Sequence, residues 1–102
     1  MSDDLLSQVD DTIHAKARLG IMAILAVEER ADFARFKRAL GLSDGNLGSH
    51  LRILEEAGYV SMEKGFVGRR PHTTWTITDL GGRMYRQYLE ALERLLRGAA
   101  PG

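Results

Sequence analysis

Lys64, Arg69, Arg70 and His72 cluster in one short stretch that also holds Gly65, Gly68 and Pro71. Glycine and proline mark a connection between elements, and cations on such a connection do one kind of chemistry well: they neutralise a chain of phosphates without reading its sequence. Upstream, Gly45, Ser49, Arg52 and Glu56 fall on one side of a helix, with Asn46 and His50 on its flank. A small, polar face of this kind suits hydrogen bonding to base edges or to a phosphate backbone. For both groups the plain alternative is an ordinary solvated surface.

Other chemistries find little footing. His14, His50 and His72 are far apart and none has a partner four residues on, so a metal site is not expected. The chain has no cysteine, which excludes disulfides and thiolate metal sites. Glu55 and Glu56 are adjacent, hence on different helix faces, and do not form a catalytic pair. There is no glycine-rich phosphate loop and no G-x-S-x-G turn. No enzyme activity and no cofactor are expected, although a small-molecule effector is compatible with the pattern.

The elements that must hold these side chains are legible between Leu42 and Ile77. Leu47, Leu51 and Leu54 form an apolar stripe opposite the polar face, and Ser43 is placed to cap the first turn. Gly58 is placed to end the helix in a left-handed conformation, so the spacing predicts a helix over Asp44 to Ala57. Gly45 and Gly48 each cost this helix about 1 kcal/mol relative to alanine. Two explanations stand: close approach of an outside surface such as a phosphate chain, or tight packing on the preceding helix. Strands are expected over Tyr59 to Lys64 and Thr73 to Ile77, joined by a connection from Gly65 to His72.

The runs GNLGSHLRILEEAGYV and FVGRRPHTTWTIT, in the order helix, glycine, strand, basic tip, strand, resemble the winged helix-turn-helix regulators of the MarR and ArsR type. The resemblance is closest to short stand-alone members with a GNL-x-x-HL-x-x-LEE-x-GY helix and a GRR-P wing, and it spans about Lys16 to Leu92. It implies a mainly α fold with a small β-hairpin wing, double-stranded DNA as partner, and a second helix of the helix-turn-helix that enters the major groove. The wing would touch the flanking backbone or minor groove. Carried over residue by residue, it assigns DNA contact to Ser43, Asn46, Ser49, His50 and Arg52 in the helix and to Lys64, Arg69, Arg70 and His72 in the wing. ArsR-type helices usually have serine where this chain has Gly48, a departure that bears on base readout more than on backbone docking.

A chain of 102 residues with 44% hydrophobic and 27% charged residues makes one domain, 1–102, with apolar material for a core. Its longest apolar run, Leu19 to Val27, is too short to span a bilayer. Asp3 and Asp4 stand where a basic leader would begin, so a cytoplasmic protein without membrane attachment is expected. Residues 1–11 read as an acidic arm, and Thr12 to Val27 as a helix whose second half is apolar all round. A short strand over Ala31 to Phe33 is expected, then a helix from Ala34 to Leu40, with Asp32 as an alternative cap. Residues 34–57 are the helix-turn-helix and 59–77 the wing.

The last helix, 78–97, starts at Thr78, a good N-cap. Its apolar arc spans about 180°, wider than the roughly 100° that one core requires. The surplus points to a homodimer built from the N- and C-terminal helices, with Leu5, Val9, Ile13, Met22, Tyr85, Tyr88, Leu89, Leu92, Leu95 and Leu96 at the interface. An effector pocket there would be lined by Met22, Met84, Tyr85 and Tyr88. Gly98 to Gly102 read as a frayed tail.

Net charge is zero, but it is segregated. Asp3, Asp4, Asp10, Asp11, Glu28, Glu29 and Asp32 outweigh the bases before Phe33. From Phe33 to Thr73, Arg35, Lys37, Arg38, Arg52, Lys64, Arg69 and Arg70 outweigh the acids. The expectation is a sequence-specific transcriptional regulator, a homodimeric repressor on a pseudo-palindromic operator. The alternative, favoured by zero net charge, is a winged-helix module for protein interaction; RNA binding is a weaker third.

Overall fold

The computed structural model describes residues 4–98, so the expected tail beyond Gly98 and the first residues of the arm lie outside them. In chain order the elements are α1 (Lys16–Glu28), β1 (Arg30–Asp32), α2 (Phe33–Leu40), α3 (Asp44–Glu56), β2 (Val60–Val67), β3 (Arg70–Ile77) and α4 (Asp79–Gly98). The three strands form an antiparallel sheet in the order β1-β3-β2. The mainly α architecture with a hairpin wing expected from the sequence is present.

Local chemistry explains most boundaries. Asp32 caps α2, its carboxylate accepting from the Arg35 amide at 2.8 Å, and Gly41 ends that helix with φ of 66°. The Ser43 hydroxyl accepts from the Asn46 amide at 3.2 Å to start α3, and Gly58, with φ of 82°, lies just beyond the end of α3. Thr78 accepts from the Gly81 amide at 2.9 Å to start α4.

α1 begins later than the sequence suggested, at Lys16 instead of Thr12. The cause is Asp10, whose Oδ1 accepts from the amides of Thr12 and Ile13 at 2.8 and 3.3 Å and holds a turn there. Within the arm, Leu6–Gln8 forms a single tight helical turn. It lies along α4 of the same chain, with Arg94 Nε donating to Gln8 at 3.0 Å. The short strand is shifted by one residue, so that Phe33 opens α2.

The wing is longer and tighter than expected. Both strands run eight residues, and the connection shrinks to a two-residue turn at Gly68 and Arg69. Gly68 has φ of 64°, the left-handed region that this turn position reserves for glycine. Pro71 is tolerated inside β3 because β1 reaches only to the partner of Thr74, so β3 has no neighbour on that side at Pro71.

The core joins Ile21, Met22 and Leu25 of α1, Phe36 of α2, Leu47, Leu51 and Leu54 of α3, Val60 and Trp75 of the sheet, and Tyr88 and Ala91 of α4. Full burial of one such aliphatic chain stabilises by about 1.5–3 kcal/mol. The structure corrects four of the residues expected at a dimer interface. Val9, Ile13, Met22 and Tyr88 are buried inside this chain's own core, because a helical stripe looks the same whether it meets its own domain or a partner. Leu5, Tyr85, Leu92 and Leu95 are half-buried, and Leu89 and Leu96 are exposed.

Candidate nucleic-acid interface

α3 is held by its apolar stripe, which leaves the opposite side open. Gly45, Asn46, Ser49 and Arg52 are exposed there. A Cβ built at Gly45 or Gly48 would meet nothing within 4 Å. Packing on the preceding helix therefore does not account for these glycines, and the remaining explanation is access of an outside surface to the helix backbone. Lys37 of α2 pairs with Asp44 at the start of α3, tying the two helices of the helix-turn-helix.

Not every residue expected on this surface lies on it. Ser43 is engaged as the cap of α3, so its part is to position the helix. His50 turns toward α1, where its Nδ1 lies 3.1 Å from Arg18 Nη1, and Arg18 in turn donates to the Thr12 carbonyl at 2.6 Å. It is half-buried against the helical body. His72 is tied back from the wing tip: its Nε2 is 3.0 Å from Asp32 Oδ2. Asp32 thus caps α2 with one oxygen and holds β3 with the other. The His72 contact, followed by the Arg35 amide, holds the Asp32 carboxyl below its ordinary range.

The cations divide into two sets. Arg35 pairs with Glu28, Lys37 with Asp44, Arg30 with Glu63 across the sheet and Arg97 with Glu93. Arg52, Lys64, Arg69 and Arg70 are exposed and have no ion pair among the described residues, and the same holds for Lys16 and Arg38 and, on α4, for Arg83, Arg86 and Arg94. On α3 and the wing, Arg52, Lys64, Arg69 and Arg70 bring exposed positive charge next to the polar helix face, so a chain of zero net charge still presents cations there. Sequence reasoning overlooked Phe66 and Val67, which are 74% and 62% exposed beside these cations. An apolar pair inside a stretch read as a polar loop was the available signal.

Residues 17–96 match the family model described as winged helix DNA-binding domain. The chain belongs to that family. Solved structures of transcriptional regulators are similar to it. The transcriptional regulator homologue protein of Pyrococcus horikoshii OT3 superposes with a TM-score of 0.87 at 32% identity, covering 96% of this chain and 99% of that one. A protein of Enterococcus faecalis V583 described as a transcriptional regulator of the MarR family gives 0.68 at 29% identity, over 91% of this chain and 76% of its own. An uncharacterised protein of Methanocaldococcus jannaschii is 36% identical over 78 residues, 76% of this chain and 85% of the relative. The winged-helix family and these regulators place the chain among DNA-binding regulators, not enzymes.

The expected effector pocket is not where the sequence put it. Met22 and Tyr88 are fully packed in the core. Tyr85 instead lines a shallow cleft with Ala26, Ile77, Gly82, Arg86 and Leu89, between the end of α1 and α4. Among the described residues no helix is long and apolar enough to cross a membrane.

Proposed function

We propose that this winged-helix domain acts as a homodimeric, sequence-specific transcriptional repressor in the cytoplasm, on a pseudo-palindromic operator. Asn46, Ser49 and Arg52 read base edges from α3, while Lys64, Arg69 and Arg70 neutralise phosphates from the wing. The observation that carries this reading is the open glycine face of α3 beside cations that have no partner among the described residues. Transcriptional regulators among the similar structures support the regulatory role.

Exposed Leu89 and Leu96 on α4, together with Val27, 83% exposed at the end of α1, support a two-fold contact. A dimer would present two α3 helices to half-sites about one turn of DNA apart. Sedimentation should give a dimer that Leu89→Glu with Leu96→Glu turns into monomers.

The deciding test is fluorescence anisotropy with the DNA upstream of the protein's own gene and with a scrambled duplex, at two salt concentrations. Tighter, salt-dependent binding to the upstream fragment is expected. Equal failure on both duplexes at low salt would favour a protein-interaction module instead.

A further inference from the structure

The wing carries apolar surface as well as charge. Cross-strand register puts Met62, Lys64 and Phe66 on the same face as Trp75, Thr73 and Pro71, and at its base this face buries Val60, Trp75 and Ala31 in the core. Toward the tip the strands outrun the helices, and Lys64, Phe66 and Pro71 are all exposed. Phe66 stands opposite Pro71, next to the tight turn at Gly68 and Arg69, so the strand register fixes its direction. Lys64 shares its face, Arg69 sits in the turn beyond it and Arg70 projects from the opposite face beside Val67, none with an ion pair among the described residues. An aromatic ring held out on a narrow hairpin, with cations on both of the hairpin's faces and at its turn, is complementary to an occupant with an apolar floor and anionic walls.

The minor groove of duplex DNA has that character: about 6 Å wide, with sugar edges inside and phosphates on both rims. We propose that Phe66 enters the minor groove as an apolar wedge while Lys64, Arg69 and Arg70 hold the flanking phosphates, and that the duplex bends at that point. The proposal rests on the DNA-binding reading of the wing given above. A wedge that partly unstacks one base step bends DNA toward the major groove. The deformation is easiest at flexible pyrimidine–purine steps, so Phe66 would confer sequence preference without a hydrogen bond to any base.

The test starts with duplexes that the wild-type chain recovers from a random-sequence pool. Bending is read by energy transfer between dyes at the two duplex ends, and affinity by anisotropy over a range of salt. Wild type should bring the ends closer together. Phe66→Ala should lose the bend and about tenfold in affinity, with the salt slope unchanged, while Phe66→Leu should retain most of the bend. Thermal unfolding of Phe66→Ala should match wild type, since the side chain is 74% exposed. If Phe66→Ala binds and bends like wild type, the wedge is overturned and DNA binding stands. If wild type recovers no duplex, the DNA-binding reading and the wedge fall together.

Discussion

In α4, Gly81 lies against the backbone of Tyr59: a Cβ there would come within 2.0 Å of the Tyr59 carbonyl oxygen and 2.8 Å of its carbon. In α3, Gly45 and Gly48 face open space, with nothing within 4 Å of where a Cβ would be. Both helices give up propensity at these positions. At Gly81 the cost is offset inside the domain, because the start of α4 rests directly on the chain leaving α3. At Gly45 and Gly48 no contact among the described residues offsets it. The difference separates a glycine that the fold requires from glycines whose reason lies outside the chain.

The largest effect should come from breaking the first kind. Gly81→Ala puts a methyl group into backbone that has no rotamer to yield, and should destabilise by about 3 kcal/mol. The melting temperature should fall on the order of 15 °C. A melt within a few degrees of wild type would show that α4 can shift and that the two kinds of glycine do not differ as described.

The second kind should respond with the opposite sign. Gly48→Ala is in the interior of α3 and should stabilise the free protein by about 1 kcal/mol. Gly45→Ala, in the first turn, should stabilise it less. Each should nevertheless weaken DNA binding by about tenfold, through contact between the added methyl and the incoming surface. Denaturation midpoints paired with anisotropy would check this. Gain in stability with unchanged binding would leave the α3 glycines without a function.

These contrasts also mark what sequence can and cannot disclose. The caps at Ser43 and Thr78, and the stop at Gly58, were legible because each depends on a few consecutive residues. The wing's length was not. Gly65 and Pro71 read as strand breakers, yet whether proline is tolerated depends on how far β1 extends, a matter decided forty residues away in sequence. Which helical residues face the core was only partly legible for a related reason. Tyr88 belongs with Tyr85, Leu89 and Leu96 to one apolar arc, but it alone of these is buried, with His14 Nδ1 2.8 Å from its hydroxyl. Likewise, His50 looked like a contact residue on its own helix until Arg18 of α1 was brought beside it.

A smaller effect would sharpen the comparison between α3 and the wing, proposed to meet DNA with absent side chains in the one case and long ones in the other. Arg69→Ala with Arg70→Ala should weaken binding to all duplexes alike and reduce the slope of log affinity against log salt by about two. Asn46→Ala should leave that slope in place and change which sequence is preferred. Identical salt slopes in wild type and the double variant would remove the wing from the phosphate contacts.

The smallest effect concerns Tyr59, the residue on which Gly81 rests. Its backbone carbonyl accepts from the Thr78 amide at 3.1 Å, and its hydroxyl donates to Asp10 Oδ2 at 2.6 Å, so one residue ties both α4 and the arm. Burial, aided by the hydrogen bond to Asp10 and the charge of that carboxylate, pushes the phenol up to about 12 from 10.0. A raised pKa means that the fold favours the protonated form. The stabilisation is therefore complete below about pH 10 and is lost as pH rises through about 12. Tyr59→Phe removes the hydroxyl but leaves the backbone under Gly81, and should cost about 1 kcal/mol at neutral pH. It should also flatten the alkaline fall in urea midpoint between those pH values, leaving the share due to Tyr88, whose phenol is likewise raised, mainly by burial. An unchanged alkaline slope would mean that the arm opens before Tyr59 ionises. The wall behind Gly81 would then be held by its backbone contacts alone.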